Sequence, residues 1–438
     1  MWALAGPIIL SNLSVPLLGA VDTAVMGHQD AAYFLGAIAT GALLFSYIYW
    51  GFGFLRMSTT AFTAQALGGG RPVEVLASLF RPLLLALVLG LVLMLFARPI
   101  GALGFSLIDA SPEVERLGRL YFSLRILSAP AALANFALIG WLFGTRRATL
   151  ALALQSGMNA LNIVLDIYFV VYLGWGIRGV ALATVIAEYS VVLVAFIVIA
   201  VVLWRRPAQR HLAAAAFGRL FDGQALGHMF VVNRDIFVRT LFLVSAFAVF
   251  TALGARFGDT VLAANAVLLS LQTFLSYGLD GFAHAAEAII GDAIGARDRA
   301  AFRRMVAVST EWALGTALLF TLIYLFWGSS LIGLMTSLDE VRAMAGRLMP
   351  WIIASPLISV WSYQLDGIFN GALRSRAMRR GMIEAFVFYI VALIVLVPLF
   401  GNNGLWAAFL LFMAARALTL GLRYRTMENA VLGDRPNR

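Results

Sequence analysis

The sequence of 438 residues contains no cysteine, all 32 of its basic residues are arginine, and only 12% of its residues are charged. Without cysteine, the chain forms no disulfide and offers no thiolate to a metal. A soluble globular protein carries about 25% charged residues, so this charge content excludes an ordinary soluble enzyme, a disordered chain and a nucleic-acid-binding protein. Hydrophobic residues make up 62% of the chain, with a mean hydropathy of +0.90. These values place the chain within a lipid bilayer.

Long apolar runs dominate the sequence. A membrane-spanning helix needs about 20 mostly apolar residues, and the breaks between such runs fall at glycine, proline and arginine clusters. The sequence therefore predicts an all-α polytopic membrane protein with twelve transmembrane helices. The predicted spans are residues 5–27, 35–65, 76–103, 116–143, 148–173, 177–204, 236–257, 261–291, 304–335, 343–371, 377–400 and 404–425.

The distribution of the arginines predicts the orientation of these spans. Twenty-one arginines, Arg239 among them, lie in or at the edges of the segments after the even-numbered spans and in the C-terminal tail, whereas seven lie on the opposite side. Because arginine-rich loops remain in the cytoplasm, we expect both termini to be cytoplasmic in a bacterial inner membrane. Topology thus explains the formal net charge of +10, and the charge alone predicts no anionic partner.

The two halves of the chain align with each other at a constant offset of 227 residues. The matching positions are residues 64–68 with 291–295, 140–144 with 367–371, and Arg147 with Arg374. Each copy holds six spans, so the second copy enters the membrane with the same orientation as the first. The prediction is an N-terminal six-helix lobe (residues 1–204), a cytoplasmic inter-lobe linker (205–233) and a C-terminal six-helix lobe (234–438).

A duplicated bundle of this kind is typical of a secondary transporter that works by alternating access, although duplication alone can also serve only to build a stable bundle. No nucleophile–base pair, nucleotide-binding motif or zinc signature occurs in the sequence. We therefore expect no enzymatic activity and no cofactor. Energy for transport would then come from an ion gradient.

Polar residues form a stripe on the fifth span. Gln155, Asn159, Asn162 and Asp166 are spaced four, three and four residues apart, which places them on one helix face. A carboxylate in the middle of the bilayer costs about 3 kcal/mol on insertion scales, so Asp166 needs a partner or a function. The alternative is a polar seam that only holds neighbouring helices together.

Other spans of the first half also carry polar residues at helical spacing. Asp22 follows Pro16, which removes a backbone hydrogen bond and makes the first span bendable. Arg125 of the fourth span is a candidate counter-ion for one of the buried acids. The remaining polar residues on these faces are Tyr121 and Ser128 in span 4 and Thr184 and Glu188 in span 6.

The second half repeats this pattern with different residues. Span 8 carries Tyr277, Asp280, His284 and Glu287 on one face, and span 10 carries Ser355, Ser359, Ser362, Asp366 and Asn370. One histidine between two acids on the same helix lacks the further nitrogen donors of a metal site, so no metal is predicted. A buried carboxylate can carry a proton, and the same oxygens can hold sodium; the residues leave both coupling ions open.

Several motifs together resemble one known family. Residues 21–24 read Val-Asp-Thr-Ala and residues 56–60 read Arg-Met-Ser-Thr-Thr. The segments at 161–166, 279–283 and 365–369 add Leu-Asn-Ile-Val-Leu-Asp, Leu-Asp-Gly-Phe-Ala and Leu-Asp-Gly-Ile-Phe. In order and span count the chain resembles the multidrug and toxic compound extrusion (MATE) family, and within it the DinF-type subfamily. The resemblance implies a V-shaped pair of six-helix lobes that exports organic cations and amphipathic drugs in exchange for protons or sodium.

The resemblance also implies which residues couple transport to the ion. By this resemblance, Asp22 would be the main protonatable group, and Asp166 and Asn162 would be its partners. Tyr121 and Thr184 would complete the hydrogen-bond network. Protonation from outside would bend the first span and expel the drug. Other subfamilies place cation-binding acids in the C-terminal lobe. The candidates there are Asp280, Glu287 and Asp366.

Alternatives remain for the transported substrate. A lipid-linked saccharide flippase shares this helical architecture, but it would need extra spans or a strongly cationic cavity, whereas most charges within these spans are acidic. A sodium-coupled exporter of the same family is a second alternative, and an ion channel a third. We expect small cationic or amphipathic organic substrates, the lipid bilayer as the only other partner, and a monomer.

Overall fold

A computed structural model of the chain describes residues 2, 4–12, 32–106, 111–204 and 207–433. All regular secondary structure in these residues is helical. The α-helices are α1 (residues 4–12), α2 (Ala32–Gly51), α3 (Phe54–Gly68), α4 (Pro72–Leu95), α5 (Ala97–Ser106), α6 (Pro112–Arg125), α7 (Ala129–Gly144), α8 (Ala148–Asp166), α9 (Gly176–Trp204), α10 (Pro207–Gly218), α11 (Gly223–Ala255), α12 (Asp259–Gly295), α13 (Arg299–Met335), α14 (Asp339–Gly371), α15 (Ser375–Gly421) and α16 (Tyr424–Leu432). A 3₁₀ turn (Ile126–Ser128) joins α6 to α7, and a π-helix (Ile167–Tyr172) continues α8.

Within the described ranges, ten helical stretches are long and apolar enough to cross a membrane. The difference from twelve has two sources. Predicted span 11 and most of predicted span 12 lie within α15, which turns at Gly401 with a left-handed backbone (φ 56°, ψ −132°). Glycine adopts this conformation without steric cost, which allows the sharp turn at this position. The first predicted span, residues 5–27, lies mostly outside the described residues, and only its start is described, in α1.

The same glycine packing occurs in both halves of the chain. A Cβ atom on Gly140 would lie 2.5 Å from the carbonyl oxygen of Arg56, and one on Gly367 would lie 2.3 Å from that of Ala283. Each pair is related to the other by 227 residues, the offset found in the sequence. The small residues therefore bring the fourth span of each half into backbone contact with the second span, as Gly-x-x-x-Gly surfaces do in membrane helices. This packing confirms the internal repeat in three dimensions.

The chain forms two compact units. One comprises Leu10–His228, and the other comprises Met229–Arg438 together with Met1–Ile9. Trp2 packs edge-on against Phe282 and Trp312 at 5.6 and 5.5 Å between ring centroids. The first nine residues therefore belong to the C-terminal unit, whereas the predicted lobes assign them to the N-terminal one.

The predicted inter-lobe linker contains a helix that docks on the first unit. The α10 helix packs on α4 and α9. Arg81, buried within α4, donates to Glu74 (3.0 Å) and to the carbonyl oxygen of Arg219 just after α10 (3.0 Å). Arg219 also donates to the second oxygen of Glu74 at 3.2 Å. The chain then turns at Asp222, whose carboxylate accepts the first amide hydrogens of α11.

In the second unit, amide side chains fix the turn within α15. Asn265 of α12 and Asn402 exchange two hydrogen bonds of 2.8 and 3.0 Å. The indole of Trp406 donates to Asn265 at 2.9 Å, and that of Trp351 donates to Asn403 at 2.9 Å. Buried polar groups that satisfy one another in this way hold two helices in a single register.

Candidate functional site

The α8 helix presents its polar face to the protein and its apolar face outward. Its buried polar residues are Gln155, Asn159, Asn162 and Asp166, and Asp166 is fully inaccessible. Val164, on another face, is 62% exposed. In a soluble helix the apolar stripe faces the core, so this arrangement is the reverse and suits a helix whose apolar side meets lipid. The stripe predicted from the sequence thus points into the N-terminal unit.

Three of the predicted coupling residues meet at the end of this stripe. Asn162 donates to the hydroxyl of Thr184 on α9 at 3.3 Å. When its amide is turned over, the same side chain donates to Asp166 Oδ2 and accepts from the Thr184 backbone amide, both at 3.2 Å. This second orientation satisfies donor and acceptor together, which is the criterion for assigning an amide. The amide of Asn162 then links Asp166 on α8 to α9.

Asp166 lies where the regular helix changes form. It is the last residue of α8, and the next six residues form the π-helix. Single π-helical turns within α-helices occur often at functional sites, because they shift side chains out of regular register. Two glycines with positive φ follow, Gly174 (67°) and Gly176 (50°). A buried acid therefore sits directly before an irregular segment of backbone.

A second buried acid of the first unit has its own counter-ion. Arg125 of α6 lies 3.6 Å from Glu188 of α9, and both side chains are largely buried. The guanidinium also stands over the ring of Phe45, 4.8 Å from its centroid, a favourable cation–π position. The sequence predicts Arg125 as a counter-ion for one of the buried acids, and in the structure that acid is Glu188.

Tyr121 lies one helical turn before Arg125 and is 1% exposed. Its ring is edge-on to Phe45 at 6.3 Å, and a Cβ on Gly41 would lie 2.5 Å from it. Among its described contacts, therefore, Tyr121 belongs to the α2–α6 contact that also holds Arg125. Asp22, the central residue of the predicted network, lies outside the described residues.

In the second unit, Asp366 of α14 is held by two arginines. Its Oδ2 accepts from Arg239 of α11 and from Arg416 of α15, the latter at 2.7 Å. All three side chains are at most about one-tenth exposed. Two guanidinium groups therefore already compensate the charge of this carboxylate. Arg239 was counted from the sequence among the cytoplasmic arginines, but it is buried within the predicted seventh span.

The other two acids of the predicted C-terminal site lie on α12. Glu287 is buried, and its Oε2 lies 3.6 Å from Nδ1 of His284. Asp280 is half-buried one turn before His284 on the same helix. Ser276, one turn before Asp280, is hydrogen-bonded to the hydroxyl of Tyr363 at 2.5 Å. Within the part of the chain that is described, no three His, Asp or Glu side chains come together in a way that could hold a metal.

Asp235 is a buried acid that has no counterpart among the sequence-predicted residues. Asp235 of α11 is fully buried and accepts from Arg379 at 2.6 Å and from Ser375 at 3.1 Å, at the start of α15. Its position beside the basic start of a helix, and next to Arg234 in sequence, gives it a structural explanation. The sequence signal was an acid directly before an apolar run, which by itself does not distinguish a buried residue from a solvated one.

A comparison with family profiles identifies the family of this chain. The profile of the MatE family matches residues 7–168 and 236–399, which is most of the chain and includes both halves of the repeat. The chain belongs to the MatE family. The members of this MATE family are multidrug and toxin efflux transporters, so the protein is a multi-pass membrane transporter and the resemblance found in the sequence is confirmed.

Relatives agree with this membership over nearly the whole chain. The DNA damage-inducible protein F of Escherichia coli is 41% identical over 425 residues, which cover 97% of this chain and 91% of that protein. A probable multidrug resistance protein NorM of Xanthomonas campestris is 27% identical over 453 residues, with coverage of 99% and 95%. Protein DETOXIFICATION 43 of Arabidopsis thaliana is 28% identical, with coverage of 77% and 62%.

Solved structures show the same fold. The Vibrio cholerae MATE transporter VcmN in its bent form matches with a TM-score of 0.83 at 22% identity and covers 98% of this chain and 97% of its own. An outward-facing multidrug resistance MATE family transporter matches with a TM-score of 0.86 at 17% identity, with coverage of 98% and 95%. The predicted fold, a MATE-like protein of twelve helices in two six-helix lobes, is therefore confirmed.

Proposed function

We propose that this MATE transporter exports cationic and amphipathic organic compounds in exchange for protons, by alternating access in the bacterial inner membrane. Both termini would be cytoplasmic, and one chain would suffice. The observation that carries the proposal is the inward-facing polar side of α8, which ends in the fully buried Asp166. Placing a carboxylate within the membrane costs about 3 kcal/mol on insertion scales. Asp166 lies at the point where the regular α8 helix changes to a π-helix.

Proton coupling at this site is supported by the kind of partner that the acid has. One described hydrogen-bond partner of Asp166 is the amide of Asn162, a neutral group. Burial disfavours the charged form of a carboxyl group, and an amide can accept from the protonated acid or donate to the ionised one. Asp366, by contrast, accepts hydrogen bonds from two guanidinium groups, those of Arg239 and Arg416. We therefore place the exchange of protons in the N-terminal unit, with Asp22, Asp166, Asn162, Tyr121 and Thr184 as its residues.

The class of cargo is supported by the relatives. One relative is named as a probable multidrug resistance protein, and a protein of the same fold as a multidrug resistance transporter. An ionised acid on an inward face attracts an organic cation and releases it when the acid takes up a proton. The described buried charges of the first unit include Asp166, the Glu188–Arg125 pair and Arg81, which is paired with Glu74. This set holds one more acid than base and favours a cation over an anionic lipid pyrophosphate.

The test uses purified protein in liposomes loaded with a fluorescent organic cation. A pH gradient and a sodium gradient are imposed separately, and dye movement is followed for the wild type, Asp22→Asn and Asp166→Asn. Glu384→Gln is the matched control, since Glu384 is half exposed and pairs with Arg423 at 2.7 Å. We expect transport with the pH gradient alone, loss in both aspartate variants and retention in the control.

Each alternative has its own outcome in the same assay. Transport driven by sodium with no response to pH would replace the proton by sodium as the coupling ion. Full pH-driven transport by Asp166→Asn would contradict the assignment of the site. If neither gradient moves the dye, scrambling of a lipid-linked saccharide becomes the activity to measure.

A further inference from the structure

A groove on the surface of the first unit shares no lining residue with the proposed coupling site. It has a volume of about 490 Å³, within the usual range of ligand sites of roughly 300–1,000 Å³. Its lining includes Leu95, Arg98, Ala102, Arg119, Phe122 and Leu127. Aliphatic and aromatic side chains form its walls, and two guanidinium groups stand among them.

Two breaks in helices create this groove. The α4 helix ends at Leu95 and α5 begins at Ala97, so the backbone changes direction there. On the opposite wall, α6 gives way to the 3₁₀ turn at Ile126. The α5 and α6 helices also contact each other tightly, because a Cβ on Gly101 would lie 3.1 Å from the ring of Phe122. The groove is therefore formed by the ends and contacts of the helices α4, α5 and α6.

The two arginines of the groove differ in their partners. Arg119 pairs with Glu115 at 2.6 Å and stands over the ring of Phe105 at 5.5 Å. Arg98 is exposed, and no ion pair of Arg98 occurs among the described residues. Arg116, nearby on α6, is already paired with Glu113. Among the described residues, the groove thus holds one guanidinium group without an ion pair, that of Arg98, beside the paired guanidinium of Arg119.

An exposed apolar surface leads along α4 to this charge. Successive turns of the helix expose large aliphatic residues, which is the pattern of a helix that faces lipid tails. Leu95, at the entrance of the groove, is 77% exposed. The other exposed residues of this surface are Leu87, Val88, Leu91 and Val92.

We propose that the groove binds an anionic phospholipid, with the headgroup phosphate on Arg98 and Arg119 and the acyl chains along the exposed surface of α4. Guanidinium groups bind phosphate oxygens with charge-assisted hydrogen bonds, and the aliphatic surface matches a lipid tail. An organic cation is disfavoured here by the charge of Arg98. The proposal does not depend on the transported substrate or on the coupling ion, and it adds an anionic partner that the net charge alone did not predict.

The absence of cysteine allows a test with a single label. A fluorophore is attached to Ser123→Cys, an exposed lining position, and the protein is placed in phosphatidylcholine nanodiscs. Phosphatidylglycerol with brominated acyl chains is then added in steps, and brominated phosphatidylcholine serves as the comparison. A label at Leu325→Cys, on the exposed side of α13, reports the bulk lipid.

We expect half-maximal quenching at Ser123→Cys to occur at a lower fraction of phosphatidylglycerol than of phosphatidylcholine, with no such preference at Leu325→Cys. Arg98→Gln should raise the required fraction about tenfold, the usual effect of losing one charge-assisted hydrogen bond. Ala102→Trp should reduce quenching by filling the groove. Arg178→Gln, an exposed arginine on the same predicted side of the membrane, should change nothing.

Three results would overturn the proposal. Equal quenching by both lipids at Ser123→Cys would show that the charge selects no headgroup. An unchanged phosphatidylglycerol preference in Arg98→Gln would remove the assigned phosphate ligand. Relief of quenching by millimolar inorganic phosphate would indicate a site for the free anion in place of a lipid.

Discussion

Substitutions in the Asp366 cluster should differ in cost according to which charge they remove. Asp366 is the shared acceptor of Arg239 and Arg416, and the three side chains are almost entirely buried. Replacing the carboxylate leaves two buried guanidinium groups facing each other, whereas replacing one arginine leaves an intact pair. Removing one partner of a buried ion pair costs about 3–5 kcal/mol, and this value applies to Asp366→Asn.

The loss in Arg239→Met should be smaller, about 1–3 kcal/mol, the usual cost of one lost charge-assisted hydrogen bond. Asp366→Asn leaves the buried Arg239 without its carboxylate partner. The double variant Asp366→Asn/Arg239→Met removes that unpaired charge, so it should lose less stability than the sum of the two single variants. The measurement is thermal unfolding of the purified protein in detergent, followed by size-exclusion fluorescence. Asp339→Asn is the control, since Asp339 is 97% exposed and lies 3.8 Å from Arg342.

Two outcomes would refute this reasoning. If Arg239→Met lowers stability as much as Asp366→Asn, the carboxylate is not the shared partner of both arginines. If the losses in the double variant add, Arg239 and Asp366 are independent of each other. A loss in Asp339→Asn as large as in Asp366→Asn would show that the assay does not distinguish buried from exposed charge.

Three further substitutions test the packing of the two units, each by the same unfolding measurement. Gly144→Ala places a methyl group 2.7 Å from the carbonyl oxygen of Thr60 and should cost about 1–3 kcal/mol, whereas Gly157→Ala, which meets no atom within 4 Å, should be neutral. Gly401→Ala should cost about 1–3 kcal/mol because its backbone is left-handed. Asn265→Leu should cost about 1–3 kcal/mol, since it removes three hydrogen bonds with two partners, Asn402 and Trp406. An unchanged stability in Gly144→Ala, Gly401→Ala or Asn265→Leu would contradict the reasoning for that position.

The polar stripe of α8 illustrates what local spacing can predict. Residues separated by three or four positions share a helix face whatever the surroundings are, so the alignment of Gln155 with Asp166 follows from sequence alone. The membrane cost of an acid then indicates that this face turns inward. The contact of Asn162 with Thr184 on another helix, however, depends on how α8 and α9 pack.

The acids of the second half show where local spacing is insufficient. Asp366 and Asp166 occupy similar stripes in the sequence, yet Asp366 is held by Arg239 and Arg416, which lie 127 and 50 residues away. Counting arginines by segment assigned Arg239 to a cytoplasmic loop. A charge near the end of a span can snorkel to water or turn inward, and only the neighbouring helix decides between these positions.

The sequence by itself determined the membrane class, the internal repeat, the stripes of polar residues and the family, because hydrophobicity, periodicity and motif spacing are properties of the chain. The tertiary structure alone decided which charge meets which, that the α15 helix turns at Gly401, and that two helix breaks form a groove beside Arg98. These features depend on distances between residues far apart in sequence. Such distances are set by the packing of whole helices, where a shift of one turn changes every partner.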